Sequence, residues 1–173
     1  EAFTSEVALN AEVDSLATWL TPEGQTWVIA TAKKRGTLLV YDGETGALIR
    51  EVAQDAPIAR PNGIAIFGDY IFVISRDNAN ILIFSLPDFE LLHTFGDDQL
   101  QLPYGLWVNE SAPGVIETFV TDSYQVDDET PALGLLNQRI KRFRVRLYEE
   151  PIQADLVDSF GSIKPEGALR RVE

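Results

Sequence analysis

Short apolar segments alternate with turn residues along the whole chain. Each segment is about four to eight residues long, and Gly, Pro and Asp separate them, as at Pro22-Glu23-Gly24. Strand-length segments between turn signals predict an all-β fold. The pattern predicts strands at Leu16–Leu20, Trp27–Ala32, Thr37–Tyr41, Leu48–Val52, Gly63–Phe67, Tyr70–Ser75, Ile81–Ser85, Leu91–Phe95, Leu106–Val108, Ile116–Thr121, Ile140–Leu147 and Ile152–Phe160.

One short motif recurs in front of successive groups of strands. Pro61-Asn62-Gly63, Pro103-Tyr104-Gly105 and Pro165-Glu166-Gly167 each precede an apolar segment. The first two copies are about 40 residues apart, which is the repeat length of a β-propeller blade. The second interval is longer by about 20 residues and requires an insertion. A β-sandwich is the structural alternative, but the recurrent motif favours a propeller.

The repeat divides the chain into blades. We expect three four-stranded blades at about 12–53, 58–96 and 102–161, the last with an insertion at 122–139, and the first strand of a fourth blade at 165–173. Propellers close with about 4–8 blades. We therefore expect the rest of the propeller or a second chain to complete the ring.

Composition narrows the classes of partner. The chain has 14 Lys and Arg against 27 Asp and Glu, a net charge of −13. Such acidity disfavours nucleic acid, whose phosphates need cations, and no apolar run approaches the length of a membrane span. The absence of Cys excludes disulfides and thiolate chemistry. The chain has no Met and no signal-peptide pattern, so we expect an excerpt of a longer, secreted protein.

Blade geometry sorts the polar loop residues. Segments before each first strand and segments between the second and third strands should emerge on one face. Loop faces on rigid scaffolds usually carry function, so we expect the site there. This face collects Asp14, Lys33, Lys34, Arg35, Arg60, Asn62, Arg76, Asp77, Asn78, Tyr104, Asp122, Asp127, Asp128 and Glu166.

That face mixes cations with carboxylates. Lys33, Lys34, Arg35 and Arg76 are suited to phosphate, and carboxylates with backbone carbonyls are suited to Ca²⁺. Together they predict a metal-assisted phosphate site, with ordinary surface ion pairs as the alternative. The single histidine, His93, is expected on an exposed strand, which argues against a histidine-based triad. The three tryptophans are expected between blades: Trp19, Trp27 and Trp107.

A family resemblance follows from two segments. Asp14–Trp19, followed by Ala30–Tyr41 with its Lys33-Lys34-x-Gly36 motif, resembles the N-terminal half of the β-propeller phytases. Those are secreted bacterial six-bladed propellers that hydrolyse phytate with Ca²⁺. The resemblance implies part of a six-bladed propeller, a secreted or periplasmic location, a Ca²⁺ cofactor and a phosphate-ester substrate.

The resemblance also implies residue roles. Lys33 matches a phosphate-binding lysine and Arg76 a phosphate-binding arginine, with Asn62 near the site and Lys34 beside it. The metal would take Asp14, Tyr104 and Glu166.

The chain also departs from the family pattern. Ser15 and Ile64 stand where the family has Asp, and a phosphate-binding lysine is missing around Thr121-Asp122-Ser123. The Pro-x-Gly repeats also resemble those of NHL-type propellers, which are binding modules. Two hypotheses therefore remain: a calcium-dependent phosphomonoester hydrolase, and a non-catalytic propeller that binds a protein or a small ligand on the same face.

Overall fold

The computed structural model describes residues 8–53, 58–125, 129 and 131–162. The predicted strand at 165–173, with Glu166, and the acidic pair Asp127 and Asp128 lie outside these ranges. The strands are β1 (Val13–Leu20), β2 (Thr26–Ala32), β3 (Thr37–Asp42), β4 (Leu48–Val52), β5 (Pro61–Phe67), β6 (Tyr70–Ser75), β7 (Asn80–Ser85), β8 (Leu91–Phe95), β9 (Pro103–Ala112), β10 (Val115–Asp122), β11 (Ile140–Arg146) and β12 (Gln153–Phe160).

The strands form three four-stranded antiparallel sheets. Each sheet is a meander in chain order, β1 to β4, β5 to β8 and β9 to β12. The first strands are neighbours in space, since β5 contacts both β1 and β9. This is the arrangement of three consecutive propeller blades, as the repeat predicted, and we call β1, β5 and β9 the inner strands.

Apolar side chains hold the blades together face to face. Between the first two blades, Trp19, Ile29 and Val40 pack in one cluster with Ile64 and Val73. A second cluster lies between the second and third blades: Phe72, Ile74, Ile81, Ile83, Phe95, Leu100, Ile116, Val120, Phe143, Val145 and Ile152. Burying one such side chain contributes about 1.5–3 kcal/mol to stability. The alternating apolar positions of a strand therefore stabilise the packing of its sheet against the neighbouring blade.

The outward face of the third blade is different. Trp107 is 57% exposed, whereas Trp19 is 5% exposed. Trp107 lies 5.6 Å from Phe119, which lies 6.3 Å from Phe160, ring centre to ring centre. No described blade covers this face, so the expectation that Trp107 lies between two blades stays a prediction.

The insertion in the third blade carries the one irregular element that matters below. A 3₁₀ helix spans Leu133–Gln138. No helix among the described residues is long and apolar enough to cross a membrane.

The inner strands of the second and third blades begin earlier than predicted. β5 starts at Pro61 instead of Gly63, and β9 starts at Pro103 instead of Leu106. The sequence pattern predicts that each strand begins after the Pro of the Pro-x-Gly motif, because Pro rarely sits inside a sheet. Pro is tolerated at the first position of a strand and next to bulges, and both conditions hold here. Asn62 and Tyr104 are therefore strand residues.

Candidate functional site

A β-bulge opens every inner strand, and the candidate residues occupy it. Pairing passes from Val13–Ala32 to Leu16–Ala30, so that Asp14 and Ser15 together face one residue of β2. Such two-against-one bulges bend the strand and re-aim a side chain. The other two bulges hold Asn62-Gly63 opposite Ile74 and Tyr104-Gly105 opposite Thr121.

Threonine hydroxyls close two of the bulges. Thr31 Oγ1 accepts the Ser15 N–H at 3.1 Å and donates to the Ser15 carbonyl at 3.3 Å. Thr121 Oγ1 does the same with Gly105, at 2.9 and 3.4 Å. A bulge leaves backbone groups without ladder partners, so these side chains satisfy groups that would otherwise cost free energy.

The second blade uses a different residue for the same purpose. Ile74 stands where the other blades have threonine, and it has no hydroxyl. Instead Ser75 Oγ accepts the Ala59 N–H at 3.1 Å and contacts the Ala59 carbonyl at 3.4 Å. The segment in front of the bulge is thus fixed in the second blade by the neighbouring side chain.

The register makes the candidate residues equivalent between blades. Val13 pairs with Ala32, Pro61 with Ser75, and Pro103 with Asp122. The start of each inner strand and the end of each second strand therefore share one edge, as the loop sorting predicted, and we call it the upper edge. At this edge the bulges of the inner strands hold Asp14, Asn62 and Tyr104. The residues directly after the second strands are Lys33, Arg76 and Ser123.

The residues directly after the second strands make equivalent backbone hydrogen bonds in the three described blades. Lys33 N–H donates to the Glu12 carbonyl at 3.1 Å, and Arg76 N–H donates to the Arg60 carbonyl at 3.4 Å. Ser123 N–H makes the matching bond in the third blade. The two cations, Lys33 and Arg76, therefore leave adjacent blades from equivalent backbone positions.

The side chain of Lys33 joins two blades at the upper edge. Its Nζ lies 2.7 Å from Asp14 Oδ1 and donates to the Tyr104 hydroxyl at 3.0 Å. It also lies 5.0 Å from the centre of the Tyr104 ring. Only 10% of the Lys33 side chain is exposed. Burial alone would lower the pKa of Lys33, but the bonds to Asp14 and Tyr104 outweigh it and raise the pKa above its ordinary value.

Close approach of the inner strands makes this contact geometrically available. A Cβ on Gly63 would lie 2.8 Å from the Tyr104 carbonyl oxygen and 3.0 Å from the Leu106 nitrogen. A Cβ at this position would be too close to these backbone atoms, so glycine is required where β5 meets β9. The motif glycine therefore has a packing reason, and it brings Tyr104 towards the first blade.

Asn62 and Arg76 have unused hydrogen-bonding capacity. Asn62 is fully buried, and neither its Nδ2 nor its Oδ1 has a hydrogen-bond partner among the described residues. Arg76 is 19% exposed in its side chain, its Nε makes no hydrogen bond within the same ranges, and Asp77 Oδ1 lies at 4.0 Å. Buried polar groups in native proteins almost always have partners. The second blade therefore presents a buried amide and a mostly buried cation that a ligand or water would satisfy.

The structure separates the predicted residues into three groups. Lys33 contacts both Asp14 and Tyr104, while Asn62 and Arg76 occupy equivalent positions in the second blade. Lys34 is exposed, and only its backbone N–H bond to Ala11 is observed among the described residues. The remaining predicted residue, Glu166, is outside the described ranges.

The calcium ligands that the resemblance implies are only partly represented. Calcium takes 6–8 oxygen ligands. The contacts of Asp14 in the described ranges place its carboxylate against the Lys33 ammonium, which compensates its charge. Within the same ranges no three His, Asp or Glu side chains group as metal ligands. The described residues alone therefore do not fit a calcium site.

Sequence reasoning missed the equivalence of Asp14 with Asn62 and Tyr104. The first blade lacks the Pro-x-Gly motif, so its bulge carried no obvious mark. A signal was nevertheless present, because Thr31 and Thr121 stand one residue before the end of their second strands. Aligning the blades on that threonine would have assigned Asp14 to the position that is equivalent to Tyr104.

Comparison with known proteins supports the architecture. No protein-family model and no curated protein matches the sequence. Hydrazine synthase from Kuenenia stuttgartiensis matches in structure with a TM-score of 0.52 and 13% identity, over 96% of this chain and 44% of the other. The WD40 domain of SCAP from fission yeast matches with a TM-score of 0.51 and 14% identity, over 93% and 37%.

These similarities concern the fold. The chain spans less than half the length of either structure, which agrees with three blades of a larger propeller. The resemblance to β-propeller phytases was drawn from residue motifs, and it stays a prediction.

Proposed function

We propose that the upper edge binds the phosphate group of a phosphate ester, as part of a phytase-like phosphomonoester hydrolase. The observation that carries the proposal is the pair of cations, Lys33 and Arg76, at equivalent positions of adjacent blades. Each is mostly buried, and each leaves from a backbone that a bulge and a repeated hydrogen bond fix. Fixed cations are the main requirement for phosphate binding.

Charge balance supports an anionic ligand at this edge. Lys33 is compensated by Asp14, but in the part of the chain that the structure describes the carboxylate paired with the Arg76 guanidinium is that of Asp77, at 4.0 Å. The Asp77 side chain is 55% exposed, so water weakens this pair. A phosphate oxygen near Arg76 would give that guanidinium a strong acceptor, and arginine binds phosphate in a bidentate manner.

Two neutral groups extend the proposed site. The unpaired amide of Asn62 is a donor and an acceptor, and the Tyr104 hydroxyl is already held by Lys33. Under the proposal Tyr104 orients Lys33 towards the ligand. Calcium chemistry is tied to ligands outside the described residues, so no catalytic step is assigned to Asp14 or Tyr104.

The second candidate is a propeller that binds a ligand without catalysis. The ion pair between Lys33 and Asp14 favours it, because that contact occupies the one carboxylate of the cluster. Ile64 also favours it, because this residue, which replaces a family Asp, is buried between the first two blades.

The decisive experiment separates binding from hydrolysis. Phosphate release from phytate is measured with and without Ca²⁺ on the full-length protein, and binding of inorganic phosphate is measured by calorimetry. Calcium-dependent release that Arg76→Met reduces by at least about tenfold supports the hydrolase. Binding without release supports the second candidate.

A matched variant controls for the loss of charge. Arg146→Met removes an arginine from β11, the third strand of the third blade, where its side chain pairs with Asp155 of β12 at 2.7 Å. It should leave phosphate binding unchanged. Equal losses in Arg76→Met and Arg146→Met, or no phosphate binding by the wild type, would contradict a phosphate site at this edge.

A further inference from the structure

A polar pocket in the third blade shares no lining residue with Lys33, Asp14, Tyr104, Asn62 or Arg76. It measures about 500 Å³ and lies between the segment after β8, the 3₁₀ helix and the last two strands of the third blade. The side chains that matter for its chemistry are Gln99, Gln101, Tyr124, Gln138, Lys141 and Ser159. All of them belong to the described ranges.

Lys141 is the unusual member of this pocket. The residue is 4% exposed, although lysine is almost never this buried without a paired charge. Its Nζ donates to Gln138 Oε1 at 3.4 Å and lies 5.2 Å from the centre of the Tyr124 ring. No carboxylate lies within ion-pair distance of Lys141 among the described residues. An ammonium has three donors, and a long bond to an amide satisfies only one.

The buried carboxylate whose charge interacts with Lys141 already accepts two backbone hydrogen bonds. Asp122 is fully buried and accepts the N–H groups of Gln101 at 2.9 Å and Leu102 at 2.8 Å. Burial raises the pKa of Asp122, and those two bonds and the charge of Lys141 oppose the rise. Asp122 therefore fixes the segment that carries Gln99 and Gln101, and this segment lines the pocket opposite Lys141.

The lining also limits the charge of a ligand. Lys141 contributes one positive charge, and the glutamines contribute neutral donors and acceptors. Asp98 lines the same pocket and would repel a second negative charge. Arg139 is buried nearby, where its charge interacts with Asp122. A monoanion fits this balance better than a dianion such as a phosphate monoester.

We propose that this pocket binds a small hydroxylated monocarboxylate. The ligand carboxylate would accept from the Lys141 ammonium, and the side-chain amides of Gln99, Gln101 and Gln138 would bind its hydroxyl groups. The volume is within the range of small-molecule sites, about 300–1,000 Å³. This site is separate from the proposed phosphate site in residues and in charge.

The test uses D-glucuronate as the probe, with D-glucose as its neutral counterpart. Calorimetry on the full-length protein should show saturable binding of glucuronate and none of glucose. Lys141→Met should weaken glucuronate binding by about tenfold or more, the loss expected for a charge-assisted hydrogen bond. Arg146→Met should bind as the wild type does. Equal binding by Lys141→Met and the wild type would overturn the proposal.

Stability provides an independent readout. A lysine kept for its contribution to the fold would make Lys141→Met unfold at a much lower temperature, whereas a buried ammonium with no ion pair in the described ranges carries a desolvation cost that an apolar side chain does not. We expect an unchanged or higher Tm without ligand, and a rise in the wild-type Tm with glucuronate. A large fall in the Tm of Lys141→Met, with no glucuronate effect on the wild type, would overturn the proposal.

A third arm does not depend on any variant. In NMR spectra of the wild-type protein, the side-chain amide signals of Gln101 and Gln138 should shift with glucuronate and not with glucose. Inorganic phosphate should leave them unshifted. Unshifted signals with glucuronate, or larger shifts with phosphate, would overturn the assignment to a monocarboxylate.

Discussion

Lys33 and Tyr104 are 71 positions apart in the chain, yet the Lys33 ammonium donates to the Tyr104 hydroxyl at 3.0 Å. The contact crosses from the first blade to the third, past the inner strand of the second. It therefore depends on how closely the three inner strands approach each other, and it reports on the geometry of the whole upper edge.

A double-mutant cycle should detect this coupling. Lys33→Met, Tyr104→Phe and the double variant are compared with the wild type by urea unfolding. Because the contact is largely shielded from water, we expect a coupling energy of about 0.5–3 kcal/mol. Arg146→Met combined with Tyr104→Phe serves as the control and should be additive. A cycle that closes to zero for Lys33 would show that the contact does not stabilise the fold.

Alkaline pH should abolish the contribution of Lys33. Its pKa in the folded protein is raised above the ordinary value of 10.5, so its stabilising effect is present below that value and is lost as pH rises through the folded pKa. Unfolding free energies of the wild type and Lys33→Met should differ by a constant amount between about pH 7 and 9.5 and converge above pH 10.5. A gap that widens with pH would contradict the assignment.

Gly63→Ala should disturb the upper edge from the backbone outward. The new methyl group would lie 2.8 Å from the Tyr104 carbonyl oxygen and 3.0 Å from the Leu106 nitrogen. Both are backbone atoms, which cannot rotate away as the end of a side chain can. We expect a loss of about 1–3 kcal/mol in unfolding free energy and a weaker effect of any subsequent Lys33→Met change.

Gly134→Ala is the matched control for that substitution. Nothing lies within 4 Å of a Cβ at Gly134, and this glycine lies in the 3₁₀ helix. Its unfolding free energy should stay within about 0.5 kcal/mol of the wild type. Equal effects of the two substitutions would refute a packing role for Gly63.

Asp122 should make stability fall as pH rises through the mildly acidic range. Burial raises its pKa in the folded protein above the ordinary value of 3.8, so the proton is held more tightly in the folded state. The contribution is present below 3.8 and is lost as pH rises through the folded pKa. Relative to Asp122→Asn, which does not titrate, the wild type should lose stability from pH 4 upward. Parallel curves for the two proteins would contradict the shift.

The blades were predictable from the sequence, whereas contacts between blades were not. Turn signals and the Pro-x-Gly repeat placed the strands, since both are local properties of the chain. The partnership of Lys33 with Tyr104 depends on the approach of inner strands at Gly63, which no spacing encodes. The exposure of Trp107 has a similar reason, because its side chain lies on a face that no described blade covers. Lys141 escaped notice because lysine is so seldom buried.

The repeated bulge has a consequence for how such a scaffold acquires new chemistry. Hydroxyls on the neighbouring strand and main-chain bonds hold the upper edge in place, and neither depends on which side chain occupies the bulge. Asp14, Asn62 and Tyr104 are an acid, an amide and a phenol on nearly the same backbone. A single substitution can therefore change what one blade contributes without reshaping the others. An internally repetitive molecule can in this way diversify one position at a time, and lose or regain an activity while its architecture persists.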